Sequence, residues 1–312
     1  MTDTNKYLFN HTMVRVKDAQ KSIKFYEDVF GMKLIRTDDF PEAKFTLYYL
    51  AFRPDNKPWT DREGVLELTQ NYGTQDDDSY SVSNGNKDPK GYGHIAITVD
   101  NIESCCEQLE AKGVRFQKKL TDGRQKNIAF ALDPDEYWVE IVQSDAYDDA
   151  SKPSVSSPDS YHFHHTMIRI KDPKVSLKFY QEVLGMTLIR TKEFEAAKFT
   201  LYFLAYTDSR DNTHLWNREG VLELTWNWGT ENEEGPVYHN GNDKPQGFGH
   251  ICVSVDDLQA ACKRLDGFDL VQWQKRPEEG RMKHIAFIRD PDNYWIELIA
   301  HEGTFFKAKH SL

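Results

Sequence analysis

Four histidines and four glutamates alternate along the chain in a fixed order: His11, Glu67, His94, Glu140, His165, Glu223, His250 and Glu297. Each histidine stands at the head of an alternating segment that predicts a strand. Each glutamate sits inside a later one: Val65-Leu66-Glu67-Leu68, Trp138-Val139-Glu140-Ile141, Val221-Leu222-Glu223-Leu224 and Trp295-Ile296-Glu297-Leu298. Taken singly, a glutamate in a strand usually faces water, and a histidine before a strand usually serves a turn or the core. The joint pattern argues for metal binding instead. Imidazole and carboxylate together suit a borderline divalent ion such as zinc, nickel or iron(II). Two histidines and two glutamates leave one or two coordination positions for water or substrate, so four His…Glu pairs supply two centres.

The elements that must hold these residues also repeat. Residues 11–52 and 165–206 share 26 identities in 42 positions without a gap. The duplication continues through VLELTQNYGT (65–74) and VLELTWNWGT (221–230), GYGHI (91–95) and GFGHI (247–251), and DPDEYWVEIV (133–142) and DPDNYWIELI (290–299). Each half repeats again within itself, more faintly. His11 opens a strand over Thr12 to Lys17. A helix follows with Ser22, Ile23, Phe25, Tyr26 and Val29, closing at Gly31, and then a strand over Met32 to Arg36. His94 opens the strand Ile95 to Val99, followed by a helix over Ile102 to Ala111 and a strand over Val114 to Gln117.

The unit is βαβββ, used four times, which gives an α+β fold of four modules. The Ser-, Asp- and Pro-rich stretch before residue 161 has linker composition. The expected domains are therefore 1–145 and 161–312, joined by 146–160, each with two modules. First and last strands of a unit can lie adjacent, so His and Glu of one unit can meet. The residues alone leave open whether units pair within a half or across halves. The Gly-x-Gly before His94 and His250 lacks the third glycine and the context of a nucleotide loop; it predicts a tight turn presenting each histidine.

Composition sets outer limits. The chain has 312 residues, 39% hydrophobic and 29% charged, which is ordinary globular composition. Lys plus Arg is 39 and Asp plus Glu is 50, a net charge of −11, which argues against nucleic acid or an anionic membrane as partner. No apolar run is long enough to span a bilayer. The first ten residues lack the pattern of a signal or transit peptide, and His310-Ser311-Leu312 does not match the usual peroxisomal signal. Cys105, Cys106, Cys252 and Cys262 form no Cys-x-x-Cys pair and no disulfide framework. The expected address is the cytoplasm.

The motifs KDxxxSxxFYxxVxGMxLI, AKFTLYxLA, LELTxNxGT, GxGHI and DPDxYWxE together resemble glyoxalase I (lactoylglutathione lyase) of the vicinal oxygen chelate superfamily. The resemblance covers nearly the whole chain, twice, as in the fused two-domain form of yeasts. It implies the glyoxalase fold, with duplicated two-module halves forming two curved-sheet clefts. It also implies two metal ions per chain, zinc in the first place and nickel or another divalent ion as alternatives. Animal members use Gln at the first ligand position, whereas nickel-preferring bacterial relatives also have His. By analogy with dimeric relatives, one centre is His11, Glu67, His250 and Glu297; the other is His165, Glu223, His94 and Glu140.

The implied reaction converts the glutathione–methylglyoxal hemithioacetal into S-lactoylglutathione. A metal holding both substrate oxygens stabilises the enediolate, and a carboxylate moves the proton from C1 to C2. The resemblance gives that work to Glu140 and Glu297, with Glu67 or Glu223 assisting. Glutathione contacts map onto Arg15 and Asn71, Arg169 and Asn227, Lys118 with Arg124, and Lys275 with Arg281. Met282 fits the apolar pocket where Gln125 does not, and Phe40, Phe45, Leu47, Phe194, Phe199 and Leu201 are further candidates for it. The arginine frequent before GxGH is Lys90 in one half and Gln246 in the other, so both sites are expected to be active but unequal. An extradiol dioxygenase shares the architecture but uses iron(II) with two His and one carboxylate, normally in one half. A sequestering protein of the same fold needs no proton-accepting Glu. A fused chain completes its own sites, so a monomer is expected.

Overall fold

A computed structural model describes residues 2–53, 57–123, 127–207, 215–280 and 282–302. The first module runs β1 (Leu8–Arg15), α1 (Ala19–Phe25), β2 (Lys33–Phe40), β3 (Phe45–Ala51) and β4 (Val65–Asn71). The second runs β5 (Tyr92–Val99), α2 (Ile102–Ala111), β6 (Phe116–Lys118), β7 (Ile128–Leu132) and β8 (Trp138–Gln143). The third is β9 (His162–Ile170), α3 (Pro173–Lys178), β10 (Thr187–Phe194), β11 (Phe199–Ala205) and β12 (Val221–Asn227). The fourth is β13 (Phe248–Val255), α4 (Leu258–Leu265), β14 (Gln272–Lys275), β15 (Ile285–Arg289) and β16 (Trp295–Ala300).

Neither half builds a sheet of its own. One eight-stranded sheet has the order β14-β15-β16-β13-β1-β4-β3-β2, so module one is joined to module four. The other has the order β10-β11-β12-β9-β5-β8-β7-β6, joining module three to module two. The seams are antiparallel, β1 against β13 and β5 against β9. Within each module the first and last strands are parallel neighbours, His11 level with Val65 and His250 level with Trp295.

Local chemistry explains the elements. Asp18 and Asn101 cap α1 and α2 by accepting from backbone N–H groups of the first turn. The helix predicted around Ser22–Val29 is α-helical to Phe25 and widens into a π turn over Tyr26–Phe30. Gly31 ends it at φ 79°, a left-handed conformation that favours glycine. That turn sets Tyr26 against the Asp-Pro-Asp loop. Asp133 Oδ2 accepts from the Tyr26 hydroxyl at 3.0 Å, and its Oδ1 accepts from the N–H groups of Asp135 and Tyr137. Tyr180 and Asp290 repeat the arrangement in the second half. The FY and DPD motifs are thus two ends of one hydrogen-bonded brace that fixes the start of β8 and of β16.

Side chains alternate along each strand. Leu66 and Leu68 face the helices and are fully buried, which puts Glu67 on the opposite, concave face. Two expectations need correction. His11, His94, His165 and His250 lie inside their strands rather than at the heads, because the seam pairing extends β1 back to Leu8 and β9 back to His162. The Gly-x-Gly segments are not tight turns. A Cβ at Gly91 would run into His239 O, and one at Gly247 into Ser83 O, so these glycines allow a backbone loop of the other half to pass.

Expressed alone, residues 1–145 leave β1 and β5 each with an open edge where the other half pairs. This piece is expected to elute as a dimer or larger species in size exclusion with light scattering. A stable, native-like monomer would contradict the seam as the organising contact.

Candidate active site

The concave faces of the two sheets gather the eight predicted ligands into two clusters. His11 Nε2 lies 3.1 Å from Glu67 Oε2, 3.2 Å from Glu297 Oε2 and 3.2 Å from His250 Nε2. His250 Nε2 lies 3.4 Å from Glu297 Oε2. In the other cluster His165 Nε2 lies 3.2 Å from Glu223 Oε2, 3.3 Å from Glu140 Oε2 and 3.2 Å from His94 Nε2. In each, all four residues are buried and their ligand atoms lie within 4.8 Å of one another. Each cluster takes one module from each half, because β1 meets β13 and β9 meets β5.

The donor set fits a divalent cation. Ligand atoms held about 2.0–2.2 Å from one ion stand roughly 3–3.5 Å apart. The clusters also demand positive charge. Burial alone would lower the His165 imidazole, but Glu140 and Glu223 outweigh it and push its pKa up to about 9. Burial alone would raise the Glu140 and Glu297 carboxyls, yet the two imidazoles beside each hold them well below the usual carboxylate range. Thr69 and Thr225 hydroxyls donate to Oε1 of Glu67 and Glu223, at 3.1 and 3.2 Å, which leaves Oε2 for the centre.

The model of the Glyoxalase/Bleomycin resistance protein/Dioxygenase superfamily matches residues 8–141 and 162–298. The chain belongs to this superfamily. It is 50% identical over 306 residues to the glyoxalase I of Saccharomyces cerevisiae, covering 94% of this chain and 92% of that one. It is 51% identical over 305 residues to the lactoylglutathione lyase of Schizosaccharomyces pombe, covering 96% and 98%. The crystal structure of glyoxalase I from Zea mays superposes with a TM-score of 0.73 at 29% identity, covering 97% of this chain and 95% of that one.

In this glyoxalase-superfamily chain the remaining predicted residues fall in different settings. A cavity of about 450 Å³ opens onto Glu140, Glu223 and His94 and is lined by Arg169 and Asn227. Arg169 is also a tie between halves: its Nη1 donates to Tyr92 O at 3.0 Å and its Nη2 to Asn86 Oδ1 at 2.8 Å. Arg15 ties the other way, Nη2 donating to Asn242 Oδ1 at 2.9 Å. Asn71 ends β4 level with Phe45, as Asn227 ends β12 level with Phe199. Lys118 Nζ donates to Ile128 O at 2.7 Å, and Lys275 Nζ to Met282 O at 2.6 Å and Ile285 O at 2.9 Å, so both ammonium groups fold onto their own loops. Met282 is 41% exposed. Arg124, Gln125 and Arg281 lie outside the described residues.

Sequence reasoning missed the residues behind the first histidines. Asn10 donates its amide to Trp59 O and Arg62 O, both at 2.7 Å, and offers Oδ1 to His11 Nδ1 at 2.7 Å. His164 fills that place in the second half. Its Nε2 donates to Leu215 O at 2.6 Å, which makes its Nδ1 the acceptor for His165 Nδ1–H at 2.6 Å. In both halves the acceptor turns the ligand's Nε2 lone pair toward the cluster. The signal was adjacency, hidden because amide and imidazole do one task. Trp59 and Trp216 close the walls, 5.9 Å from His11 and 4.8 Å from His164 between ring centres. The recurring Trp ahead of Arg-Glu-Gly could have pointed to them.

Replacing Asn10 or His164 by Ala is expected to weaken metal binding about 10- to 100-fold at its own centre only. His164→Asn is expected to restore it. Chelator competition measures this; unchanged affinity in both Ala variants would contradict the orienting hydrogen bonds.

Proposed function

We propose that the chain acts as a lactoylglutathione lyase, isomerising the hemithioacetal of glutathione and methylglyoxal to S-lactoylglutathione at two metal centres. The observation that carries this reading is the convergence of two imidazoles and two carboxylates in each of two buried clusters. It stands in a chain alignable over nearly its whole length with yeast proteins of that activity.

The substrate's C1 proton is too weakly acidic for a carboxylate to remove unaided. A bound divalent cation supplies Lewis-acid stabilisation of the negative charge that develops on the two substrate oxygens. Glu140 in one centre and Glu297 in the other take the proton from C1 and return it to C2, while the hydroxyl proton passes from the C1 oxygen to the C2 oxygen, leaving a thioester carbonyl at C1 and a hydroxyl at C2. Glu67 and Glu223, each held at Oε1 by a threonine, remain ligands and assist. His11, Glu67, His250 and Glu297 hold one ion, and His165, Glu223, His94 and Glu140 the other. Arg169 and Asn227, in the cavity wall, take part in glutathione binding, with Arg15 and Asn71 as their counterparts. The family resemblance assigns Lys118, Arg124, Lys275, Arg281 and Met282 to glutathione as well.

Two nitrogen and two oxygen donors favour zinc, with nickel the next choice. The halves 1–145 and 161–312, linked by 146–160, complete both centres between them, which supports a monomer. No helix among the described residues is long and apolar enough to cross a membrane. Two carboxylates per centre, in both halves, favour this reading over a dioxygenase's single three-ligand iron site.

Protein of measured metal content, mixed with preformed hemithioacetal, should generate thioester absorbance, lose it to a chelator and regain it with zinc. Glu140→Gln and Glu297→Gln should each silence one centre and leave activities of different KM. The double variant should fall by about 10²–10⁴-fold. No thioester from fully metallated protein would overturn the reading, and identical kinetics in the single variants would remove the inequality of the centres.

A further inference from the structure

The walls of the two centres are built alike but charged differently. On the first module the concave-face rows are Arg36–Tyr49–Glu67, Asp38–Leu47–Thr69 and Phe40–Phe45–Asn71. On the third they are Arg190–Phe203–Glu223, Lys192–Leu201–Thr225 and Phe194–Phe199–Asn227. Cross-strand partners share a face, so the outer residue of each row stands on the face that carries the metal ligand. The aromatic and aliphatic positions match closely. The charged position of the second row does not: Asp38 answers to Lys192.

The consequence is a difference in free charge. Arg36 Nε donates to Asp38 Oδ2 at 2.6 Å, with its guanidinium over Trp59 at 5.3 Å, so that pair sums to zero. Arg190 lies over Trp216 at 5.9 Å and Lys192 over Phe194 at 4.8 Å. Both line the 450 Å³ cavity that opens onto Glu140 and Glu223. Among the described residues no carboxylate pairs with either, so the two sum to plus two. Two unpaired cations side by side on β10 create a local positive potential in a protein of net charge −11. Phe194, Phe199, Leu201 and Phe203 flank the two cations on β10 and β11, whereas Thr225, Asn227 and Arg169 make another side of the cavity polar. Glutathione is polar along its length, so the wall suits the portion of the substrate contributed by the aldehyde.

We propose that the centre of His165, Glu223, His94 and Glu140 selects hemithioacetals whose aldehyde portion carries an anionic group, whereas the centre of His11, Glu67, His250 and Glu297 selects neutral ones. This rests on the lyase reading and names a substrate class within it. Arg190 and Lys192 are the specificity-determining residues, and Asp38 is the residue that cancels the preference in the other centre.

The test compares glutathione hemithioacetals of phenylglyoxal and 4-carboxyphenylglyoxal, which differ by one carboxylate, on single-centre enzymes. Glu297→Gln leaves the His165 centre active, and Glu140→Gln leaves the His11 centre active. The ratio of kcat/KM, carboxylated over neutral, is expected to be about tenfold higher in the Glu297→Gln enzyme. Adding Lys192→Asp or the shape-keeping Lys192→Met to that enzyme should lower the ratio, and Asp38→Lys in the Glu140→Gln enzyme should raise it. Higher salt should shrink the difference. Equal ratios that do not respond to the charge changes would overturn the proposal. So would a Lys192→Met loss shared equally by both substrates, because the cation would then be serving glutathione. Failure of phenylglyoxal itself to give thioester in both single-centre enzymes would instead be failure of the lyase reading, and would take this proposal with it.

Discussion

Two carboxylates and two imidazoles brought within 4.8 Å of one another, out of water, are held against their own chemistry. The carboxylates repel, and burial costs each of them its hydration. Only positive charge at the meeting point reconciles them. The raised proton affinity of His165, driven by Glu140 and Glu223 against its burial, is the mark of that demand. The rest of the structure holds the four groups in place despite it. Hydroxyls of Thr69 and Thr225 fix the outer carboxylate oxygens, Asn10 and His164 fix the imidazoles, and the Tyr–Asp braces fix the strands that carry Glu140 and Glu297.

That constraint also explains why the modules must pair. A module brings only one His and one Glu to its parallel pair of strands, so a centre needs two modules seam to seam. The seams form between halves, and the Gly-x-Gly segments, with Arg15 and Arg169 tied to Asn242 and Asn86, lock them there. Duplication then has a further effect. Each centre has a wall of its own from module one or module three, free to diverge once both lie on one chain. The exchange of Asp38 for Lys192 is a divergence of this kind.

The four modules, the eight clustered residues and the helix over Ile102–Ala111 were legible because each rests on a repeated pattern or on local periodicity. The strand starts were not, because pairing across the seam extends β1 and β9 beyond where alternation begins. The glycines of GxG read as a turn, since sequence shows the missing side chain but not the backbone of another half passing at His239 and Ser83. Asn10 and His164 differ in type while sharing a task, so comparing the halves concealed them. Nothing in the sequence pattern singles out Arg190 and Lys192; only the register with Phe203 and Leu201 puts them on the face of the centre.

The pairing of ligands across halves is the claim on which everything else stands, and metal content of two double variants tests it most directly. His11→Ala with Glu297→Ala damages one centre twice and should leave one ion per chain. His11→Ala with Glu140→Ala damages both centres once and should leave none. The reverse result, no ion in the first and one in the second, would mean that each half builds its own centre and would contradict the account.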